Sequence, residues 1–258
     1  MSIVEIDGAR LDIESAGAGP DLVLLHSLLS DRSAFDQVRE TLAGSFRLHL
    51  VNLPGYGNSS PTGATLDAYA DRLAAGFSAL KLGTGTTVLG NGFGGFVALA
   101  LAIRHGVKFG PLVIADSLAT FPESAKAPFR IMAAKVRAEG MSSVLDAAIR
   151  RMFPETFIAT HPAIVAERKD ALAKADPACF AQACLALADV DFRASLAKIR
   201  NRTLVMAGAL DQTTPASLAR ELASAIPGAK FEEIPGCGHC PQIEKPAEFI
   251  AALRGFLR

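Results

Sequence analysis

The chain has 258 residues, of which 50% are hydrophobic, and its 26 basic residues balance its 26 acidic residues. This length suffices for one large domain, alone or with an inserted module, and the balanced charge disfavours nucleic acid and anionic membranes as partners. No apolar run has the length of a membrane span, the first residues lack a basic leader, and four cysteines do not indicate a disulfide framework. We therefore expect a soluble cytoplasmic protein.

The first half of the chain alternates strands with helices. A hairpin is predicted over residues 2–15 around Asp7-Gly8, because apolar and polar residues alternate on both sides of this turn. Further along, the pattern predicts strand 22–25, helix 34–43, strand 46–51, helix 66–80, strand 86–89, helix 93–105 and strand 112–115. Such alternation is typical of a doubly wound, mostly parallel sheet.

The pattern changes over residues 118–195, which show no convincing strand and several prolines. This segment is predicted to form four or five short helices. Alternation then resumes with strand 203–207, helix 215–225, strand 230–234 and helix 246–257. We therefore predict one α/β domain whose core comprises residues 1–117 and 196–258 and carries residues 118–195 as a helical cap.

A strand–turn–helix segment centres on Gly92. The predicted strand at 86–89 runs into the sequence GNGFG at 90–94, and an apolar helix follows directly. This architecture is typical of a nucleophile elbow, G-x-S-x-G, in which a serine stands on a sharp turn between strand and helix. Here Gly92 occupies the position of that serine.

The same glycines permit a second interpretation. Gly90, Gly92 and Gly95 fit G-x-G-x-x-G, and Asp116 lies where a ribose-binding acid of a dinucleotide site is expected. An NAD(P)-binding oxidoreductase is therefore a competing hypothesis. The position of the motif weighs against it, because a nucleotide-binding unit usually begins with the first strand of its sheet.

Two further segments favour the elbow. Asp211 comes just after the predicted strand 203–207, and His239 lies in the loop after the strand 230–234. The order elbow, acid, histidine is the chain order of α/β-hydrolases. All three positions follow the carboxyl ends of strands, where ligands bind in open α/β sheets.

With these motifs, the chain resembles the α/β-hydrolase superfamily over nearly its whole length. Within it, the chain is similar to the 3-oxoadipate enol-lactonases in residues 24–31, 52–59 and 181–193, and in the segments of Asp211 and His239. The resemblance implies a hydrolase that acts on an ester or lactone bond of a small, carboxylated molecule. It implies no cofactor and no metal.

The resemblance also implies residue roles. His239 corresponds to the general base and Asp211 to the acid that orients it, while the backbone N–H groups of Phe93 and Leu28 correspond to the oxyanion hole. Substrate-binding positions are expected at Ser27, Asn91, Met132, Met152 and Phe153. A carboxylate clamp is sought among the arginines of the predicted cap, Arg130, Arg137, Arg150, Arg151 and Arg168.

Gly92 removes the side chain that would form an acyl-enzyme, and three hypotheses follow. Gly92 is an engineered replacement of serine in a working hydrolase; or it is natural, and His239 activates water without a covalent step; or the protein is a catalytically inactive ligand-binding module. Ser27 is a candidate substitute nucleophile, although its residue type and position favour a turn residue that bonds to nearby backbone.

Overall fold

The computed structural model describes residues 2–258. At its centre lies one sheet, whose strands are β1 (Ser2–Ile6), β2 (Ala9–Ala16), β3 (Asp21–Leu25), β4 (Arg47–Val51), β5 (Thr87–Asn91), β6 (Leu112–Ala115), β7 (Thr203–Gly208) and β8 (Lys230–Ile234). Across the sheet the strands are ordered β1-β2-β4-β3-β5-β6-β7-β8. The β1–β2 and β2–β4 pairs are antiparallel, and every later pair is parallel.

The helices are α1 (Asp36–Ala43), α2 (Leu66–Ala79), α3 (Phe93–His105), α4 (Glu123–Glu139), α5 (Leu145–Met152), α6 (Glu155–Thr160), α7 (Pro162–Ala173), α8 (Pro177–Ala188), α9 (Ala216–Ala225), α10 (Pro241–Glu244) and α11 (Pro246–Leu257). Among residues 2–258, no helix combines the length and the apolar character that crossing a membrane requires. The prediction of a doubly wound, mostly parallel sheet is confirmed, and β6, β8, α3 and α11 have the predicted bounds.

Helices cover both faces of the sheet, so the central strands are apolar on both sides. In β3, Leu22 and Leu24 belong to an apolar cluster with α1 and α11. Val23 and Leu25 belong to the cluster on the opposite face, with α2, α3 and α9. Successive side chains of a strand point to opposite faces, which explains why this strand reads as a continuous apolar run.

Helices α4 to α8 form an insertion between β6 and β7 and confirm the predicted helical character of this segment. Its two ends meet where Thr120 bridges Asp191, and Thr120 Oγ1 donates to Val190 O at 2.8 Å. Phe121 stacks on Phe96 of α3, with ring centroids 5.3 Å apart. The insertion therefore shares its apolar core with the sheet, and its description as a cap over residues 118–195 stays a prediction.

Helix α3 lies unusually close to the strands beneath it. A Cβ on Gly90 would lie 2.1 Å from the carbonyl oxygen of Gly94, and a Cβ on Gly94 would lie 2.2 Å from that of Leu25. A Cβ on Gly95 would meet the Ser117 hydroxyl at 2.1 Å. Gly90, Gly94 and Gly95 thus have a steric role at this contact. Because the run follows the central strand β5 and not the first strand of the sheet, the dinucleotide interpretation of Gly90, Gly92 and Gly95 is not retained.

We expect Gly94→Ala to lower the free energy of unfolding by about 1–3 kcal/mol, because the added methyl group meets backbone that cannot move aside. Urea unfolding followed by circular dichroism measures the change. Gly255→Ala in α11 is the matched control: no atom lies within 4 Å of its added Cβ, and the higher helix propensity of alanine predicts a gain of roughly 0.5–1 kcal/mol. Equal stability of Gly94→Ala and the native chain would contradict the steric argument.

Candidate active site

Gly92 forms the sharp turn between β5 and α3, with φ 54° and ψ −121°. This left-handed conformation strains any residue that has a Cβ, and glycine adopts it freely. Two hydrogen bonds fix the turn: Gly92 N–H donates to Ala115 O at 2.9 Å, and Ser117 Oγ donates to Gly92 O at 2.8 Å. The backbone of a nucleophile elbow is therefore present, although its side chain is not.

Asp211 and His239 form a buried pair beside this turn. His239 Nδ1 lies 2.8 Å from Asp211 Oδ2, and the two residues are 5% and 6% exposed. The Thr214 hydroxyl donates to Asp211 Oδ2, while the N–H groups of Thr213 and Thr214 donate to Oδ1 at 2.7 and 3.0 Å. This clamp fixes the carboxylate and, through it, the imidazole, whose Nε2 points towards Gly92. Sequence reasoning missed Thr214, whose only signal is its position three residues after the acid.

The clamp also sets the charge of the carboxylate. Burial alone raises the pKa of Asp211, but the charge of His239 and the hydrogen bonds from His239 and Thr214 outweigh it and lower the pKa to about 2. Asp211 is consequently ionised at neutral pH and holds the imidazole in the tautomer that carries its proton on Nδ1. A ring in this state offers the lone pair of Nε2 as a base.

Asn91 belongs to a buried network rather than to a cavity wall, which corrects its assignment as a substrate-binding residue. Its Nδ2 donates to Asp116 Oδ2 at 3.2 Å and to His239 O at 3.0 Å, and its Oδ1 accepts from Gln242 Nε2 at 3.0 Å. Asp116 Oδ1 in turn accepts from Gly208 N–H at 2.9 Å. The amide is fully engaged, so its role is to hold the histidine loop.

Asp116 is a second buried acid next to the pair. Burial, followed by the charge of Asp211, raises the pKa of Asp116 well above its ordinary value. Ligand atoms of Asp116, Asp211 and His239 lie within 4.8 Å of one another. Because these atoms bond within the network and the clamp, we assign them no metal and we leave the role of the orienting acid to Asp211.

The loop after β3 supplies the second predicted oxyanion donor. His26 Nδ1 donates to Ser27 O at 2.8 Å and its Nε2 accepts from Leu53 N–H at 3.0 Å, while the Tyr56 hydroxyl donates to Leu28 O at 3.0 Å. Burial lowers the pKa of His26 to about 4, so the ring is neutral and keeps this bonding pattern. The loop is therefore fixed without using the N–H of Leu28.

The N–H groups of Leu28 and Phe93 accordingly have no acceptor among residues 2–258. Both residues line a cavity of about 20 Å³ together with Ser27, Gly92 and His239. A cavity of this size holds about one water molecule. Two free amides, a histidine and a water-sized space thus meet at the turn.

The insertion between β6 and β7 forms hydrogen bonds with the loops that carry His239 and Asp211. Met152 O accepts from His239 N–H at 3.1 Å, and Arg151 O accepts from the Thr213 hydroxyl at 3.0 Å. Met152 and Phe153 line a second cavity of about 190 Å³ beside His239, and their assignment as substrate-binding positions stays a prediction. Met132 lines neither of these two cavities and packs within the apolar core, so its predicted role is corrected to packing.

Arg151 lines both cavities, and so does His239. The guanidinium lies over the ring of Phe129, 4.9 Å from its centroid. Within residues 2–258 it makes no ion pair, whereas Arg130 pairs with Asp189 and the buried Arg168 with Glu167. Burial lowers the pKa of Arg151. Arg150 also lines the larger cavity and makes no ion pair among residues 2–258, but of the cap arginines singled out in the sequence only Arg151 lines both cavities.

A model of the alpha/beta hydrolase family matches residues 22–252. The chain belongs to this family. It is 31% identical over 253 residues to a pimeloyl-[acyl-carrier protein] methyl ester esterase of Chromobacterium violaceum, covering 95% of this chain and 96% of that protein. A second esterase with this name, from Aromatoleum aromaticum, is 30% identical over 256 residues, and the match covers 93% of this chain and 98% of that protein.

Solved structures agree with this assignment. A thermophilic esterase from Thermogutta terrifontis, described with malate bound, superimposes with a TM-score of 0.92 at 30% identity and covers 100% of this chain and 98% of its own. The enol-lactonase from Burkholderia xenovorans LB400 has the same TM-score at 26% identity and covers 99% of both chains. The chain therefore has the scaffold of an ester hydrolase, and its resemblance to enol-lactonases is confirmed at the level of structure.

The lowered pKa of Asp211 makes its contribution to stability dependent on pH. Since the folded-state pKa lies below the ordinary 3.8, the contribution is present above about pH 4 and is lost as the pH falls through about 2. We expect the difference in free energy of unfolding between the native chain and Asp211→Asn to be roughly 2 kcal/mol larger at pH 5 than at pH 2. Urea unfolding at both pH values measures the difference. Asp170→Asn, which alters an exposed carboxylate, is the control and should have the same free energy of unfolding as the native chain at both pH values. If Asp211→Asn differs from the native chain by the same amount at both pH values, the stabilising role of the clamp is contradicted.

Proposed function

We propose that the chain hydrolyses an ester or lactone bond of a small molecule that carries a negative charge. In this proposal His239 is the general base, Asp211 orients it, and the N–H groups of Leu28 and Phe93 stabilise the oxyanion. The observation that carries the proposal is the buried Asp211–His239 pair, whose Nε2 faces the same water-sized cavity as the two free amides. This combination activates an attacking oxygen and stabilises the charge that its attack creates.

Gly92 takes no chemical part in this reaction. It supplies the left-handed turn that places the Phe93 amide at the cavity, and it contributes no atom that can attack a carbonyl carbon. The attacking oxygen must therefore come from elsewhere in the cavity. General-base activation typically contributes 10²–10⁴-fold in rate, and each aligned backbone donor about 3 kcal/mol, so a site with both retains much of its catalytic power.

The charge of the substrate follows from Arg151. A guanidinium that is withdrawn from water and lacks a carboxylate partner is unfavourable until an anion binds it. Its place in the walls of both cavities next to His239 puts such an anion within the site. The malate bound to the Thermogutta terrifontis esterase supports a carboxylate as that anion. A small carboxylated ester or lactone fits all of these features.

We expect His239→Ala to lower kcat/KM by about 10²–10⁴-fold, because it removes the base and keeps the cavity and the amides. Release of nitrophenol from mono-4-nitrophenyl succinate measures the rate. His161→Ala, which alters an exposed histidine of the insertion, is the matched control and should leave the rate unchanged.

Gly92→Ser separates the hypotheses about the elbow. Its Cβ would lie 2.5 Å from Ser27 Oγ and 2.8 Å from His239 Nε2, so both side chains must shift slightly, but a nucleophile elbow holds a serine in just such a strained turn and the variant should fold. An active native chain, whether or not the variant is faster, supports the proposal. An inactive native chain with an active Gly92→Ser variant identifies a serine hydrolase that has lost its nucleophile. If both chains are inactive but bind the ester, the protein is a binding module.

Arg151→Gln should raise KM for the charged ester and lower kcat/KM by about 10–100-fold, since hydrogen bonds to charged groups contribute about 1.5–3 kcal/mol. For 4-nitrophenyl butyrate, which is similar in size and uncharged, the change should stay below about threefold. Arg130→Gln, in which a surface arginine paired with Asp189 is altered, is the control. Equal losses on both esters would contradict a charge-recognition role.

A further inference from the structure

The hydroxyl of Ser27 occupies the space that an elbow side chain would take. A Cβ built on Gly92 would lie 2.5 Å from Ser27 Oγ, 3.0 Å from Ser27 Cβ and 2.8 Å from His239 Nε2. The hydroxyl and the ring nitrogen therefore both border the one volume into which the side chain at position 92 would project. No other hydroxyl approaches that volume as closely among the described residues.

This hydroxyl is free to react. Ser27 is 2% exposed, and its Oγ makes no hydrogen bond with residues 2–258. A serine that merely completes a turn bonds its hydroxyl to nearby backbone, so the turn role favoured by the sequence is corrected here. The backbone of Ser27, by contrast, is fixed, because its carbonyl accepts from His26 Nδ1 at 2.8 Å and from Ser30 N–H at 3.3 Å. The backbone is thus held in place while the hydroxyl stays unbonded beside His239 Nε2.

One of the two oxyanion donors directly follows Ser27, just as the other directly follows the elbow position. In a nucleophile elbow, one donor is the N–H of the residue after the nucleophile. Phe93 follows Gly92, and Leu28 follows Ser27, and both N–H groups are free at the cavity that contains the hydroxyl. A tetrahedral intermediate on Ser27 would thus find the same two donors as one formed at position 92.

We propose that Ser27 is the nucleophile of this enzyme, supplied by the loop after β3 in place of the elbow. The inference rests on the proposed hydrolase function. Ser27 Oγ forms a bond to the carbonyl carbon of the ester while its proton passes to His239 Nε2. The tetrahedral intermediate then expels the alcohol, which takes that proton, and leaves an acyl group on Ser27. Water, deprotonated by His239, attacks the acyl group, and Ser27 recovers its proton as the acid leaves.

The test combines covalent labelling with kinetics. The purified chain is treated with a fluorophosphonate, and the labelled residue is found by intact-mass measurement and peptide mapping. We expect one adduct, on Ser27. Ser27→Ala should lose the label and at least about 10³-fold in kcat/KM for mono-4-nitrophenyl succinate. Ser30→Ala, which alters another buried serine of the same loop, should keep both the label on Ser27 and the native kcat/KM.

Ser27→Cys guards against a folding defect in Ser27→Ala. Its thiol keeps a nucleophile at the same position, so 4-nitrophenyl acetate should give a burst of nitrophenol and a thioester on residue 27. Hydrolysis that survives in Ser27→Ala, with no adduct on Ser27 in the native chain, overturns the nucleophile and leaves the proposed function intact with water as the attacking group. A native chain that neither hydrolyses the ester nor takes the label overturns both.

Discussion

The close approach of α3 to the strands beneath it is the constraint on which the site depends. Gly90 and Gly94 allow it, because any Cβ at either position would overlap backbone. At this contact Gly94 N–H donates to His26 O at 2.9 Å. That bond joins the first turn of α3 to the loop after β3, and Phe93 and Leu28, whose amides are free, line the same cavity beside it. The oxyanion donors are consequently fixed by the fold before any substrate binds, as electrostatic stabilisation of a transition state requires.

The pKa values of two buried acids near this contact are shifted in opposite directions for physical reasons. Asp211 faces His239 and several hydrogen-bond donors, which lower its pKa despite burial. Asp116 has burial and a neighbouring carboxylate, which push its pKa up. The environments of these two neighbouring carboxyl groups thus shift their pKa values in opposite directions. Asp211 orients His239, and Asp116 accepts hydrogen bonds from Asn91 and from the end of β7.

The succession of strands and helices, the elbow backbone and the pairing of Asp211 with His239 could be predicted from the sequence. Apolar periodicity identifies the buried strands. The order of the elbow, the acid and the histidine along the chain predicts that these residues meet at the carboxyl ends of their strands. The surroundings of single side chains could not be predicted. Asn91 neighbours the turn in sequence, yet its amide is drawn into a network with Gln242, more than a hundred residues away. No local pattern reveals such a partner.

Arg151 and Ser27 illustrate the same limit. Five arginines of the insertion looked equivalent, and only packing shows that Arg151 lines the water-sized cavity while Arg130 and Arg168 pair with carboxylates. The sequence equally favoured a turn role for Ser27, because its distance from His239 along the chain conceals that both border the space above Gly92. Loss of a side chain at one position of a packed site thus changes which neighbouring group has access to the shared volume.

The central claim is that the unaltered chain catalyses hydrolysis through the Asp211–His239 pair. Its most direct test is kcat/KM of the native chain and of Asp211→Asn on mono-4-nitrophenyl succinate at pH 7, with both proteins shown to be folded by circular dichroism. The account predicts turnover by the native chain and a loss on the order of 10³–10⁴-fold in the variant, because an amide no longer holds the required tautomer. Equal rates for the two proteins, or no turnover by the native chain, would contradict it.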